Sequence, residues 1–96
     1  MIPVVISEAA DADLVEILEC GTENFGLERA EAYVASFQTT FDLLSRHPRA
    51  GAVHDEVRPP IRSLPHGSHR VFYDVFEAEV IVQRILHKAV DVKRHL

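Results

Sequence analysis

The sequence predicts an α+β domain: a short N-terminal strand, an αα-hairpin, then a three-stranded antiparallel meander ending in a short C-terminal helix or tail. Three observations predict it. Apolar residues recur at helical spacing through the first half, with no proline from Ser7 to His47. Two runs rich in β-branched and aromatic residues, Val71–Phe76 and Val80–Leu86, are joined by the short polar link Glu77-Ala78-Glu79, the pattern of an antiparallel hairpin. A length of 96 residues gives room for one core, so residues 1–96 form a single domain.

Pro3-Val4-Val5-Ile6 is the first strand, with its proline near the start, where a missing donor is tolerated. Ser7 caps a helix from about Glu8 to about Asn24, and Glu8, Asp11 and Asp13 favour the positive end of its dipole. Ala10, Leu14, Ile17 and Leu18 form its apolar stripe, leaving Glu16 and Glu19 on the wet side. Gly26 stops this helix, and Phe25 beside it is expected to pin the turn into the core. A second helix starts near Leu27, carries Ala30, Tyr33, Val34, Phe37, Phe41 and Leu44 on one side, and ends at His47-Pro48. Pro48 to Gly51 reads as a turn and Ala52–Pro60, with Pro59-Pro60, as an irregular loop. Ile61–Leu64 is a short strand, Pro65 to Ser68 a turn, and His87–Leu96 a basic final helix or tail.

A link centred on Glu77-Ala78 pairs Val75 with Val80 and Tyr73 with Val82. Val71, Tyr73, Val75, Val80, Val82 and Leu86 then share the core face. Arg70, Phe72, Asp74, Ile81, Gln83, Ile85 and His87 share the other, which is too apolar for a solvated face and is expected to meet a partner. Arg84 falls on the core side, where it must reach out to solvent or pair with an acid of the helices. A three-residue turn would swap one strand's faces.

Composition excludes several classes. No apolar run approaches the ~20 residues of a membrane helix. The N-terminus lacks the basic and apolar regions of a signal peptide, so a cytoplasmic location is expected. One cysteine, Cys20, allows no internal disulfide and no cysteine zinc site. The net charge of −5 divides into −8 over residues 1–42 and +3 over residues 43–96, a balance against a dedicated nucleic-acid binder that leaves the basic half open to one.

No cofactor and no metal are expected. His66-x-x-His69 in a turn is not a ligand set, and the serines carry no nucleophile elbow or triad signature. One enzymatic reading uses Arg62, Arg70 and Arg84 to stabilise a phosphorane and His87 as general acid or base in metal-free RNA cleavage. The competing reading, salt bridges or an interface rim, is favoured.

Several pieces in order carry a family resemblance: Ala10-Asp11-Ala12-Asp13-Leu14-Val15-Glu16-Ile17, Phe25-Gly26, Ala30 with Tyr33, and His47-Pro48-Arg49-Ala50-Gly51. They continue with Arg62, Gly67-Ser68-His69-Arg70-Val71-Phe72-Tyr73, and Ile85-Leu86-His87-Lys88 with Asp91. In this the chain resembles the RelE/ParE superfamily of type II toxin–antitoxin toxins, and specifically its ParE branch. The resemblance spans nearly the whole chain. Cys20 stands where an aromatic is common, and Ala89-Val90 where a pair is often basic.

The resemblance implies a toxin that poisons DNA gyrase by binding and is neutralised by a ParD-like ribbon-helix-helix antitoxin in a hetero-oligomer. It makes Arg70, Phe72, Ile81, Ile85 and His87 candidates for antitoxin contact, and Arg62, Arg70, His87, Lys88, Lys93 and Arg94 candidates for target contact. RelE-like ribosome-dependent ribonucleases on the same fold are the alternative, as is a degenerate, non-toxic member. Arg70 matches the ribonuclease strand arginine, but Val90 and Leu96 stand where a tail arginine and tyrosine would fall.

Overall fold

Ser7 turns the chain from strand to helix. Its side chain accepts the Ala10 amide at 3.0 Å, capping the helix, and donates to the Gln83 carbonyl at 2.9 Å, fixing the helix start to the sheet. In a computed structural model that describes residues 1–96, the chain runs β1 (Val4–Ile6), α1 (Glu8–Phe25), α2 (Leu27–Arg46), β2 (Ala52–His54), β3 (Ile61–His66), β4 (His69–Val75), β5 (Val80–His87) and α3 (Val92–His95). The α+β class, the αα-hairpin broken at Gly26 and the three consecutive strands are as the sequence predicts.

The sheet order is β1-β5-β4-β3-β2, with β1 parallel to β5 and all other pairs antiparallel. Ala52–His54 is therefore a strand and not a loop. It is held by pairing with β3, a tertiary contact that outweighs its weak local pattern. The β3–β4 hairpin is also longer than expected, because Pro65 and His66 are paired and only Gly67-Ser68 turns. Gly67 takes φ +53, and a Cβ there would meet the Tyr33 hydroxyl at 2.7 Å, so the turn closes onto α2 only with glycine.

The register at the β4–β5 turn is as expected: Val75 opposes Val80 and Tyr73 opposes Val82. A β-bulge follows, because Phe72 opposes Arg84, leaving Gln83 as an extra residue on β5. The extra residue corrects the faces beyond it. Ile85 joins Val71 in the core, while Leu86 joins Phe72 on the opposite side.

The main core, between the helices and the sheet, comprises Ala10, Phe37, Leu44, Val71, Tyr73, Val80, Val82 and Ile85. Each large side chain fully buried there contributes roughly 1.5–3 kcal/mol. A second cluster of Val57, Ile61, Phe72 and Leu86 lies on the far face, covered by Val90, Val92 and Leu96 of the chain's own tail. Phe25, expected in the core, is the last residue of α1 and is 64% exposed.

Candidate functional site

Strand β1 covers only Val80 to Val82 of β5. Beyond that point β5 has no neighbouring strand on that side, and α1 approaches instead. Asp13, on the stripe between Ala10 and Ile17, is 8% exposed. Its Oδ2 accepts the Arg84 Nε–H at 2.8 Å and the Ile85 amide at 2.8 Å, and its Oδ1 accepts the Arg84 Nη2–H at 3.0 Å. The carboxylate thus takes the hydrogen bond a missing strand would make. The two groups form a bidentate pair, and the bond to Asp13 raises the Arg84 guanidinium further above its usual range. Arg84 is therefore paired with an acid of the first helix, one of the two outcomes its sequence position allowed.

Between this strand end, both helices and the tail lies an open groove of about 720 Å³. Ile17 and Gly21 of α1, Ala30 and Tyr33 of α2, and Ile85 supply apolar or small lining. Glu16, Arg29, His69, His87 and His95 add charged or titratable groups. Phe25 and Cys20 stand exposed at its edge, with the Arg29 guanidinium 5.5 Å from the Phe25 ring centroid.

Tyr33 builds the groove's inner end. Its hydroxyl lies 2.7 Å from His69 Nδ1, accepts the Ser68 amide at 3.1 Å and donates to the His66 carbonyl at 3.2 Å. His66 is held from both sides, with Nε2 2.8 Å from the Ser36 hydroxyl, Nδ1 2.8 Å from the Thr40 hydroxyl, and its ring stacked on Phe37 at 4.1 Å. Burial disfavours the charged imidazole at both positions and holds His66 and His69 below their usual value.

The far face holds another polar row. Glu56 Oε1 is 2.9 Å from His54 Nδ1, His54 Nε2 is 2.6 Å from Ser63 Oγ, and Arg70 donates to the same Oγ at 2.9 Å. The order carboxylate–imidazole–hydroxyl is that of an activated serine. Ser63, however, is 1% exposed and its oxygen is taken by Arg70, so the row fastens β2 to β3.

The sequence-predicted site residues are distributed unevenly. His87 is exposed and lines the groove. Ile81 is half-buried. Phe72 and Ile85, expected to face a partner, are each 2% exposed. The bulge turns Ile85 into the main core, and the tail covers Phe72. Arg62 and Arg70 point to opposite faces: Arg62 lies opposite Tyr73 and donates to the Gly51 carbonyl at 2.9 Å, whereas Arg70 shares the face of Phe72. Lys88, Lys93 and Arg94 are exposed at the C-terminal end. The groove residues Asp13, Tyr33, His69, Arg29 and Phe25 were not among the predicted contacts. Asp13 left one signal, an acid interrupting an apolar stripe.

A sequence model of the family described as "ParE toxin of type II toxin-antitoxin system, parDE" matches residues 4–92. The chain belongs to the ParE toxin family. It is 41% identical to Toxin ParE1 of Mycobacterium tuberculosis over 92 residues, covering 95% of this chain and 94% of that one. It is 33% identical to Toxin ParE1 of Caulobacter vibrioides over 96 residues, covering 100% and 99%. A solved structure described as the chromosomal ParDE TA system from P. aeruginosa superposes with a TM-score of 0.77 at 22% identity, covering 91% of this chain and 96% of that one. This ParE-type chain is a toxin of a type II toxin–antitoxin system. None of its helices is long and apolar enough to cross a membrane.

Proposed function

We propose that this toxin acts by binding, with DNA gyrase as its target, and that a ParD-like antitoxin neutralises it by laying a segment into the groove between the helices and the end of β5. The observation that carries the binding reading is how the basic residues are committed. A RelE-like ribonuclease would draw on arginines of the central strands and on the tail. Here Arg84 is tied to Asp13, Arg70 to Ser63, and the tail residues Val90, Val92 and Leu96 are packed on Phe72 and Leu86. Withdrawing one charge-stabilising group costs roughly 10²-fold or more in rate, and Arg84 is neutralised here by Asp13.

The antitoxin reading is supported by the groove's size and its apolar lining, which suit an amphipathic segment that orders on binding. The ParDE assembly named for the P. aeruginosa structure supports a partner of that kind. Lys88, Lys93 and Arg94 remain free at the surface and are the strongest candidates for target contact; none of them bonds an acid of this chain.

The test adds purified protein to a gyrase supercoiling and cleavage assay and, in parallel, to a translating-ribosome assay. Loss of supercoiling with intact messenger is expected. Messenger cleavage with gyrase untouched would overturn the reading. Alanine at Lys88, Lys93 and Arg94 together is expected to relieve growth inhibition while antitoxin binding survives.

A further inference from the structure

The Tyr33 hydroxyl has three neighbours and one proton. The Ser68 amide, at 3.1 Å, can only donate to it, and the His66 carbonyl, at 3.2 Å, can only accept from it. The third neighbour, His69 Nδ1 at 2.7 Å, can do either. All three contacts are hydrogen bonds only when Nδ1 carries the hydrogen. The hydroxyl then donates to the carbonyl and accepts from Ser68 and His69, using its donor and both lone pairs. This set of contacts favours the Nδ1–H tautomer of His69. The remaining ring nitrogen, Nε2, has no hydrogen-bond partner in the chain. The ring itself lines the groove, with the His87 ring 5.6 Å away.

The consequence is that His69 gains its proton at Nε2, where none of the three bonds is disturbed. The ionisable groups around it are Tyr33 and Arg29 of α2, Asp13 and Glu16 of α1, His66 of β3, Arg84 and His87 of β5, and His95 of α3. Asp13 is committed to Arg84 and the Ile85 amide. That leaves one free acid in the lining, Glu16, against Arg29 and the three histidines His69, His87 and His95. Glu16 offsets Arg29 while the histidines are neutral, so a carboxylate complements the groove in the state in which His69 has taken up its proton.

We propose that His69 Nε2 is the receptor for a carboxylate on the antitoxin segment that fills the groove, and that this contact takes up one proton on binding. The proposal rests on the groove being the antitoxin's seat. In the free protein, burial and the neighbouring His87 and His66 hold the ring below its usual value, with Asp13 pulling the other way. A carboxylate placed at Nε2 favours the imidazolium and makes a charge-assisted bond. Affinity for an acidic segment rises as pH falls through the His69 value of the complex and levels off below the value of the free ring.

The experiment uses the full chain uniformly labelled with ¹⁵N. Long-range proton–nitrogen spectra of the free protein report the tautomer, expected as Nδ1–H and shifted toward Nε2–H by Tyr33→Phe. The probe is an acetylated, amidated peptide of three Leu-Glu-Phe repeats, with its Gln counterpart as control. The Glu peptide is expected to raise the His69 value and to bind more tightly at pH 6 than at pH 8, by a factor approaching the roughly tenfold that a one-unit shift allows at full protonation. The Gln peptide is expected to show no such dependence, and His69→Gln to abolish the difference between the two. An Nε2–H tautomer in the free protein overturns the proposal. So does equal, pH-independent binding of both peptides, which leaves the groove reading standing. If neither peptide moves signals of Ile17, Tyr33 or Ile85, the groove reading and the proposal fall together.

Discussion

Asp13 and Arg84 are joined by two hydrogen bonds, at 2.8 and 3.0 Å, across 71 residues of sequence, and the same carboxylate holds the Ile85 amide at 2.8 Å. The two partners are not equivalent. Asp13 is nearly buried and serves a backbone donor as well, whereas the Arg84 side chain is 30% exposed.

Asp13→Ala is therefore expected to cost about 3 kcal/mol, in the range for removing one member of a buried pair. Arg84→Ala should cost about 1 kcal/mol less, because the Ile85 amide keeps its acceptor. Urea unfolding of both variants measures the difference. Equal costs would show that the Ile85 bond contributes nothing.

Stability is expected to fall with acid before the carboxylates titrate. His66 and His69 have folded-state values below the ordinary 6.5, mainly through burial. The unfolded chain binds more protons in that window, so stability rises with pH. The contribution is complete above about 6.5 and is lost as pH falls below it toward the folded values. Thermal melts from pH 8 to pH 5 should show the decline. His66→Gln should flatten part of it, at a cost of about 1–2 kcal/mol at neutral pH from the lost hydroxyl bond and stacking.

Gly51 and Tyr73 should be sensitive together. The Gly51 amide donates to the Tyr73 hydroxyl at 2.8 Å in a buried contact. A Cβ on Gly51 would lie 2.6 Å from that oxygen and 2.6 Å from the Ser63 carbonyl. Gly51→Ala is expected to cost about 1–3 kcal/mol by crowding, and Tyr73→Phe about 1–3 kcal/mol by leaving a buried donor unpaired. Denaturation midpoints check both.

Phe25 separates folding from binding. At 64% exposure its removal should change stability by no more than about 0.5 kcal/mol. As an aromatic at the groove's edge, Phe25→Ala should weaken antitoxin binding by about tenfold. Calorimetric titration against an unchanged melting temperature decides it.

Helical periodicity placed α1 and α2 to within a residue or two, and the polar link at Glu77-Ala78-Glu79 placed the β4–β5 turn. The features the sequence hid are tertiary. Ala52–His54 is only three residues long, and becomes a strand because β3 offers an edge. The bulge at Gln83 has no local mark, since the residue is neither glycine nor turn-forming. One unpaired residue then reversed the assignment of Ile85 and Leu86 and took Ile85 out of the expected contact face. The groove was illegible for a related reason. Its lining comes from five elements, and only Asp13, breaking a stripe, and Arg84, misplaced on the core side, pointed toward each other.

The bulge also ties the fate of the two hydrophobic clusters together. Residues on either side of Gln83 belong to opposite parities of one strand, so Val82 and Ile85 feed the helix side while Leu86 feeds the tail side. Pairing Gln83 with Phe72 in an unbulged strand would send Ile85 outward and Leu86 inward in a single step. Neither layer can slip without the other. The toxin should therefore unfold as one cooperative unit, with amides of β4 and β5 sharing one opening free energy in hydrogen exchange.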